Sequence, residues 1–237
     1  MHLQRKYITD GESLEYELVQ SLQRIMESCF RRMKRMRQIS YEKVKEWFPL
    51  ICGVFYLSGM TGFIYETIFY LINNGAWTRR GTCFGPWIQI YGMGGVMILL
   101  LLYRMRRNPW LVFFLSGLVA GVMEFIAGYF MYHFMNGLRT WDYNTEIWNW
   151  GNIGGYVCFR SILVFALAGI LLIYLVLPIL QFIKKRMNPR LFLLIMVIPA
   201  MVFLVDIVYN DILAKFLPLM DSYTFYMNTG WYEIVNH

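Results

Sequence analysis

Charged residues are scarce in this chain. They make up 16% of its 237 residues, and hydrophobic residues make up 58%, whereas about 25% charged and roughly 45–50% apolar residues are usual in a soluble domain. The mean hydropathy is +0.43. This composition argues against a soluble globular protein and favours a membrane protein.

The residue patterns of common enzymes, metal sites and nucleotide-binding loops are also missing. The three histidines, His2, His133 and His237, are far apart, and the four cysteines form no CxxC pair or zinc spacing. No GxSxG, HExxH or GxxxxGK[ST] sequence occurs. We therefore predict no cofactor, no metal and no enzymatic activity, and the chain lacks the phosphate loop of an ATPase.

Long apolar runs are what the chain has instead. A run of about 18 or more apolar residues can cross a hydrocarbon core roughly 30 Å thick as a helix. The predicted spans lie at about 48–73, 86–103, 109–135, 154–182 and 190–216. The predicted fold is therefore all-α, a polytopic bundle of five transmembrane helices over 48–216, with a polar arm at 1–47 and an aromatic tail at 217–237.

The arm is predicted to form a basic amphipathic helix. Leu14, Leu18, Leu22 and Ile25 recur at spacings of three and four residues, and a basic stretch, "FRRMKRMR", follows them. Two interpretations remain open for its apolar stripe. The helix either docks on a partner or on the membrane surface, or it packs against the cytoplasmic side of its own bundle.

The placement of basic residues predicts the orientation. Ten Lys and Arg residues lie in the arm, three after the second span and four after the fourth, against two, one and one on the other side. The positive-inside rule then puts the arm in the cytoplasm and the C-terminus outside, in a multi-pass plasma-membrane protein. The net charge of +7 is explained by membrane lipid rather than by nucleic acid. Cys83 and Cys158 fall on the outer side, and whether they pair is left open.

A few polar residues lie inside the predicted spans, where a charge is expensive and is expected to face protein or water. The topology brings them to one layer below the outer surface. The predicted site residues are Glu66, Glu124, Arg160, Asp206, Gln89 and Tyr91. Two interpretations are open: Arg160 pairs with one or two of the acids and holds the bundle together, or a surplus carboxylate binds a proton or a cation.

The segment 137–153, "GLRTWDYNTEIWNWGNI", is unusually aromatic. Tryptophan and tyrosine favour the membrane interface, so a belt of anchors is one interpretation. The other is a capping loop that covers a site from outside, using Asp142 and Glu146.

Several motifs occur in an order that resembles a known family. They are a YE pair that ends the first span, a GPWxxxYGxG turn, a glutamate in the third span, a WDY motif and an arginine in the fourth span. The chain resembles the bacterial type IV ABC-transporter family, also called CmpB-like permease proteins. The resemblance implies these signature positions besides Glu66, Tyr91, Glu124 and Arg160: Tyr65, Gly85, Pro86, Trp87, Gly92, Gly94, Trp141, Asp142 and Tyr143.

The predicted function is a permease-like transporter subunit with an outward-facing buried polar site for a cation, a proton or a cationic solute. Membrane lipid, further copies of the chain and a separate ATPase subunit are its expected partners. The alternative is a non-transporting membrane scaffold whose buried ion pairs are structural. A membrane-embedded enzyme that uses Glu66 or Glu124 with Arg160 is the third possibility.

Overall fold

The computed structural model describes residues 42–75, 77, 79–135 and 137–228. The chain divides into two compact units, residues 1–48 and residues 49–237. Of the first unit, only residues 42–48 are described, and they belong to a helix. The rest of the predicted amphipathic arm, and the end of the aromatic tail, lie outside the described residues.

The described part of the chain is helical, as predicted, and its only β feature is an isolated bridge between Ile153 and Val157. The helices are α1 Glu42–Asn74, α2 Gln89–Leu102, α3 Pro109–Phe134, α4 Phe159–Leu171, α5 Leu177–Arg186, α6 Pro189–Ile207, α7 Ala214–Phe216 and α8 Ser222–Asn228. A 3₁₀ turn, Tyr103–Met105, extends α2. One π-helix, Leu172–Val176, joins α4 to α5, and another, Val208–Leu213, joins α6 to α7.

Four continuous helices in the described part are long and apolar enough to cross a membrane. They are Glu42–Asn74, Pro109–Phe134, Phe159–Arg186 and Pro189–Phe216. Four of the five predicted spans are thereby confirmed as long apolar helices. The remaining one, predicted at 86–103, corresponds to the shorter apolar helix Gln89–Met105.

The surfaces that these helices turn outward are apolar. Trp110 and Phe114 on α3 are 73% and 66% exposed, and Val205 on α6 is 62% exposed. A soluble monomer rarely exposes such continuous apolar surface, so the exterior suits lipid.

Close contacts show how the helices of the second unit run. Gly53 and Gly59 of α1 face Met196 and Phe203 of α6, so these two helices are parallel. Similar pairs show α2 antiparallel to α1, because Gly62 meets Tyr91 and Ser58 meets Gly95. α4 is antiparallel to α3, because Gly117 meets Ala166 and Gly121 meets Ile162. α4 is parallel to α2, because Tyr91 stacks on Phe165 and Ile98 lies beside Gly169. Successive long helices, with Phe159–Arg186 and Pro189–Phe216 each counted as one, therefore alternate in direction.

Two Asn-Pro pairs make the tight turns at one end of the bundle. The Asn108 side chain accepts a hydrogen bond from Leu111 N, and Pro109 occupies the first turn of α3. Asn188 and Pro189 start α6 in the same way. Asparagine satisfies a free amide at a helix start, and proline is tolerated there because its missing N–H would be unpaired.

The other end of the bundle, called the capped end here, is covered by longer connections. The GPW loop, residues 79–88, joins α1 to α2, and the capping loop, residues 137–158, joins α3 to α4. α8 contacts the GPW loop, where the Tyr226 hydroxyl donates a hydrogen bond to Phe84 O at 2.8 Å. Cys83 and Cys158 are both buried and free, so no disulfide links them.

Candidate functional site

A small polar cavity lies at the capped end, between α1, α2, α3, α4 and the capping loop. Its volume is about 30 Å³, which is room for about two waters. The charged residues on its wall are Glu66, Glu124, Glu146 and Arg160, and its hydroxyl groups include those of Tyr65, Tyr70, Tyr91 and Tyr143. The structure thus brings together Glu66, Tyr91, Glu124 and Arg160 of the predicted site residues.

Glu66, on α1, is paired with an arginine of the GPW loop. Arg80 Nε donates to Glu66 Oε2 at 3.1 Å, and the two side chains are 21% and 18% exposed. Arg80 Nη2 also donates to Thr140 O at 3.0 Å, and its guanidinium carbon lies 3.8 Å from the Tyr70 ring centroid. The charge of Glu66 is therefore balanced by Arg80.

Glu146, in the capping loop, holds the second arginine. Arg160 Nη2 donates to Glu146 Oε2 at 2.5 Å, and Tyr70 donates to Glu146 Oε1. Arg160 Nη1 donates to Ile147 O at 3.0 Å, and its guanidinium carbon lies 3.9 Å from the centroid of Phe69. One of the two interpretations of the sequence pairs Arg160 with an acid of the spans. The structure pairs it with this loop glutamate, because the capping loop lies against the start of α4.

Glu124, on α3, is the surplus carboxylate. It is 5% exposed, and Tyr143 donates to its Oε1 at 2.6 Å. Its Oε2 is buried and has no hydrogen-bond partner in the described part of the chain. No basic side chain among the described residues forms an ion pair with it. The pKa of Tyr143 is raised well above its ordinary value, mainly by burial and secondly by the nearby Glu124 carboxylate. The hydroxyl therefore remains a donor at neutral pH.

The helix α3 places Glu124 by means of small residues. Gly117, Gly121, Glu124 and Gly128 lie on its buried face. A Cβ at Gly117 would lie 3.0 Å from Ile162 Cγ2, so the absence of side chains lets α4 approach closely. In a membrane such close backbone contact is a common way to hold helices together. The same contact fixes Glu124 beside the start of α4, where Arg160 lies.

The capping loop is held together by its own polar contacts. Asp142 Oδ1 accepts from Asn144 N at 3.0 Å and from Arg139 Nη1 at 3.2 Å. Trp141 Nε1 donates to Tyr156 O at 2.9 Å, and Tyr143 N donates to Gly155 O at 3.2 Å. The signature residues Trp141, Asp142 and Tyr143 therefore shape the loop that covers the cavity.

Asp206, a predicted site residue, lies outside the cavity wall and holds the GPW loop. Its Oδ1 accepts from Phe84 N at 2.9 Å and from Asn210 Nδ2 at 2.7 Å. Its Oδ2 accepts from Gly85 N and from Trp87 Nε1, both at 2.8 Å. With its acceptor positions occupied by protein donors, Asp206 has a structural part in the turn formed by the signature residues Gly85, Pro86 and Trp87.

Gln89 is also separate from the cavity wall. Its Nε2 donates to Thr82 Oγ1 and to Asp211 Oδ2, each at 3.0 Å, while its Oε1 is buried without a partner among the described residues.

The signature glycines of α2, Gly92 and Gly94, have different surroundings. A Cβ at Gly92 would lie 2.9 Å from Phe55 O, whereas one at Gly94 would meet nothing within 4 Å.

Two members of the site were not predicted as site residues. Arg80 lies in a loop and carried no signal except that it is a basic residue on the predicted outer side. Glu146 was noted only as a residue with which the aromatic loop could cover a site. The cavity contact of Trp141, Tyr143 and Glu146 supports the capping interpretation, while Trp148 and Trp150, 49% and 63% exposed, suit interface anchors.

The long apolar helices and the apolar exterior define a multi-pass helical membrane protein. Comparison with known families is more specific. Residues 53–210, more than half of the chain, match the family described as Putative ABC-transporter type IV, and the chain belongs to it. Neither the curated proteins nor the solved structures contain a significant match. The family is of transporter type, which agrees with the resemblance found in the sequence motifs.

Proposed function

We propose that this chain is the membrane-embedded, permease-type subunit of a transporter, and that its polar cavity binds a proton, a cation or the cationic end of a solute. The observation that carries the proposal is the uneven charge of the cavity. Three carboxylates meet there, and two of them are paired with Arg80 and Arg160. The third, Glu124, has a buried oxygen with no hydrogen-bond partner among the described residues.

The proposed topology has five crossings. Alternation of helix direction supports a crossing by the short helix Gln89–Met105, which at about 1.5 Å per residue reaches roughly 25 Å. The turns opposite the capped end carry Arg104, Arg106, Arg107 and the run Lys184–Arg186. The positive-inside rule therefore puts the capped end outside, the arm 1–47 in the cytoplasm and the tail 217–237 outside. The cavity then opens toward the exterior once the capping loop moves.

The proposed partners follow from what the sequence offers. The chain contains no GxxxxGK[ST] loop, so energy from ATP would have to come through a separate ATPase subunit. Five helices are few for a permease, so a second copy of the chain would complete it. The bundle exterior binds lipid.

A scaffold without transport activity is the second candidate, and the two ion pairs favour it. Both Arg80 and Arg160 are held by a carboxylate and by a backbone carbonyl. Buried pairs of this kind can be replaced by apolar residues of similar volume without loss of the fold. The triple variant Arg160→Met/Glu146→Met/Tyr70→Phe, which leaves none of these three polar groups unpaired, would keep a purely structural function.

Cation or proton flux into vesicles reconstituted with the full chain separates the two candidates. A transporter with this site loses flux in Glu124→Gln, and Glu66→Gln lowers it because Arg80 is left unbalanced. Equal flux in wild type, both variants and empty vesicles would exclude a proton- or cation-coupled role. A triple variant that folds and retains full biological activity would favour the scaffold.

A further inference from the structure

We propose that Glu124 is a proton-binding residue, which takes up a proton on Oε2 from water in the cavity and returns it there. The inference deepens the proposed function, since it rests on the same cavity and names the class of its ligand. It requires no movement of solute, so it can hold even if the chain transports nothing.

The surroundings of Glu124 favour a neutral carboxyl group. An ionised carboxylate would leave the buried Oε2 without a donor among the described residues, since the Ser161 hydroxyl on the same cavity wall donates to Cys158 O. Its Oε1 accepts from one neutral hydroxyl, that of Tyr143. Burial of an uncompensated charge costs so much that such a group binds a proton instead. Once protonated, Oε2 becomes a donor to water, and Oε1 remains a carbonyl acceptor for Tyr143. Both oxygens are then satisfied.

The charged and titratable groups around the cavity belong to four elements. They are Tyr65, Glu66 and Tyr70 on α1, Tyr91 on α2, Tyr143 and Glu146 in the capping loop, and Arg160 on α4. Glu66 has Arg80 as its partner, and both oxygens of Glu146 accept hydrogen bonds, from Tyr70 and Arg160. These two acids are therefore paired with arginines, whereas Glu124 has no basic partner among the described residues.

The size of the cavity argues against a larger ligand. Its volume of about 30 Å³ has room for about two waters. A hard metal cation such as Ca²⁺ takes about six to eight oxygen ligands. The described residues hold no cluster of three or more acidic, histidine or cysteine side chains placed to bind a metal. A proton needs one oxygen and a water, which is what Glu124 and the cavity supply.

Infrared difference spectroscopy of the full chain in lipid tests the inference. The wild type is expected to show the C=O stretch of a protonated carboxylic acid at neutral pH, and Glu124→Gln is expected to abolish it. Asp221→Asn is the matched control, since it makes the same carboxylate-to-amide change at the start of α8, away from the cavity wall, and the band should persist there. Tyr143→Phe should shift the band to higher frequency, because the carbonyl oxygen loses its hydrogen bond.

The infrared result can be told apart from the result of the flux measurement. A band that persists unchanged in Glu124→Gln, or that Asp221→Asn removes, overturns the inference whatever the flux measurements give. If Glu124→Gln does not fold, an unshifted band in folded Tyr143→Phe overturns it equally. A band that depends on Glu124 in a protein without flux supports the proton site and refutes the transport proposal.

Discussion

Removal of Arg160 is expected to destabilise the capped end strongly. Glu146 is 7% exposed, and Arg160→Met would leave its Oε2 as a buried charged oxygen without its partner. Breaking one side of a buried ion pair costs about 3–5 kcal/mol. Ile147 O would also lose its hydrogen bond, and Phe69 its stacked guanidinium. For a chain of this size we expect a fall in Tm on the order of 10 °C.

The assay is thermal unfolding of the purified protein in detergent, followed by tryptophan fluorescence. Arg190→Met is the matched control, because Arg190 is exposed in the first turn of α6 and no comparable loss is expected there. The triple variant Arg160→Met/Glu146→Met/Tyr70→Phe should recover most of the lost stability, since it leaves no buried charge unpaired. A single variant as stable as the wild type, or a triple variant as unstable as the single one, would refute this reasoning.

Three further predictions concern other contacts at the capped end. Asp206→Ala is expected to lower the free energy of unfolding by about 3 kcal/mol or more, because it leaves two amides and Trp87 Nε1 without their acceptor; thermal unfolding checks this, and Asp206→Asn should lose less. Gly62→Ala puts a Cβ 2.1 Å from Tyr91 Cγ, and the resulting overpacking should cost about 1–3 kcal/mol in the same assay. Burial, and next the nearby Asp206, raises the pKa of Cys83 to about 12, so its labelling by a maleimide should be very slow at pH 8 and accelerate as pH rises; labelling as fast as that of a free thiol would contradict it.

The sequence predicts the membrane class, the helical fold and the core of the cavity, for physical reasons. Charge inside an apolar span is expensive, so Glu66, Glu124 and Arg160 stand out against their surroundings. Alternation of spans across a membrane then fixes their depth. Depth places them at one end of the bundle, and the structure shows that all three line one cavity there.

The depth of a residue does not determine which side of its helix it faces. For this reason the structure differs from the prediction at some of the predicted site residues. Asp206 was predicted to lie at the same depth as Glu124, but its carboxylate faces the GPW loop, where it accepts hydrogen bonds from Gly85 N and Trp87 Nε1. The same loop explains the late start of α2, because residues bound to Asp206 are held outside the helix. Arg80 and Glu146 were beyond prediction as partners because loops join the site through contacts between residues distant in the chain.

Proton flux into pH-reporting vesicles tests the central claim most directly, with wild type, Glu124→Gln and Asp221→Asn reconstituted side by side. Asp221→Asn makes the same carboxylate-to-amide change at the start of α8, away from the cavity wall. Flux above that of empty vesicles in wild type and Asp221→Asn, with its loss in folded Glu124→Gln, is the predicted result. Equal flux in Glu124→Gln and wild type would contradict the assignment of this cavity as the site of transport.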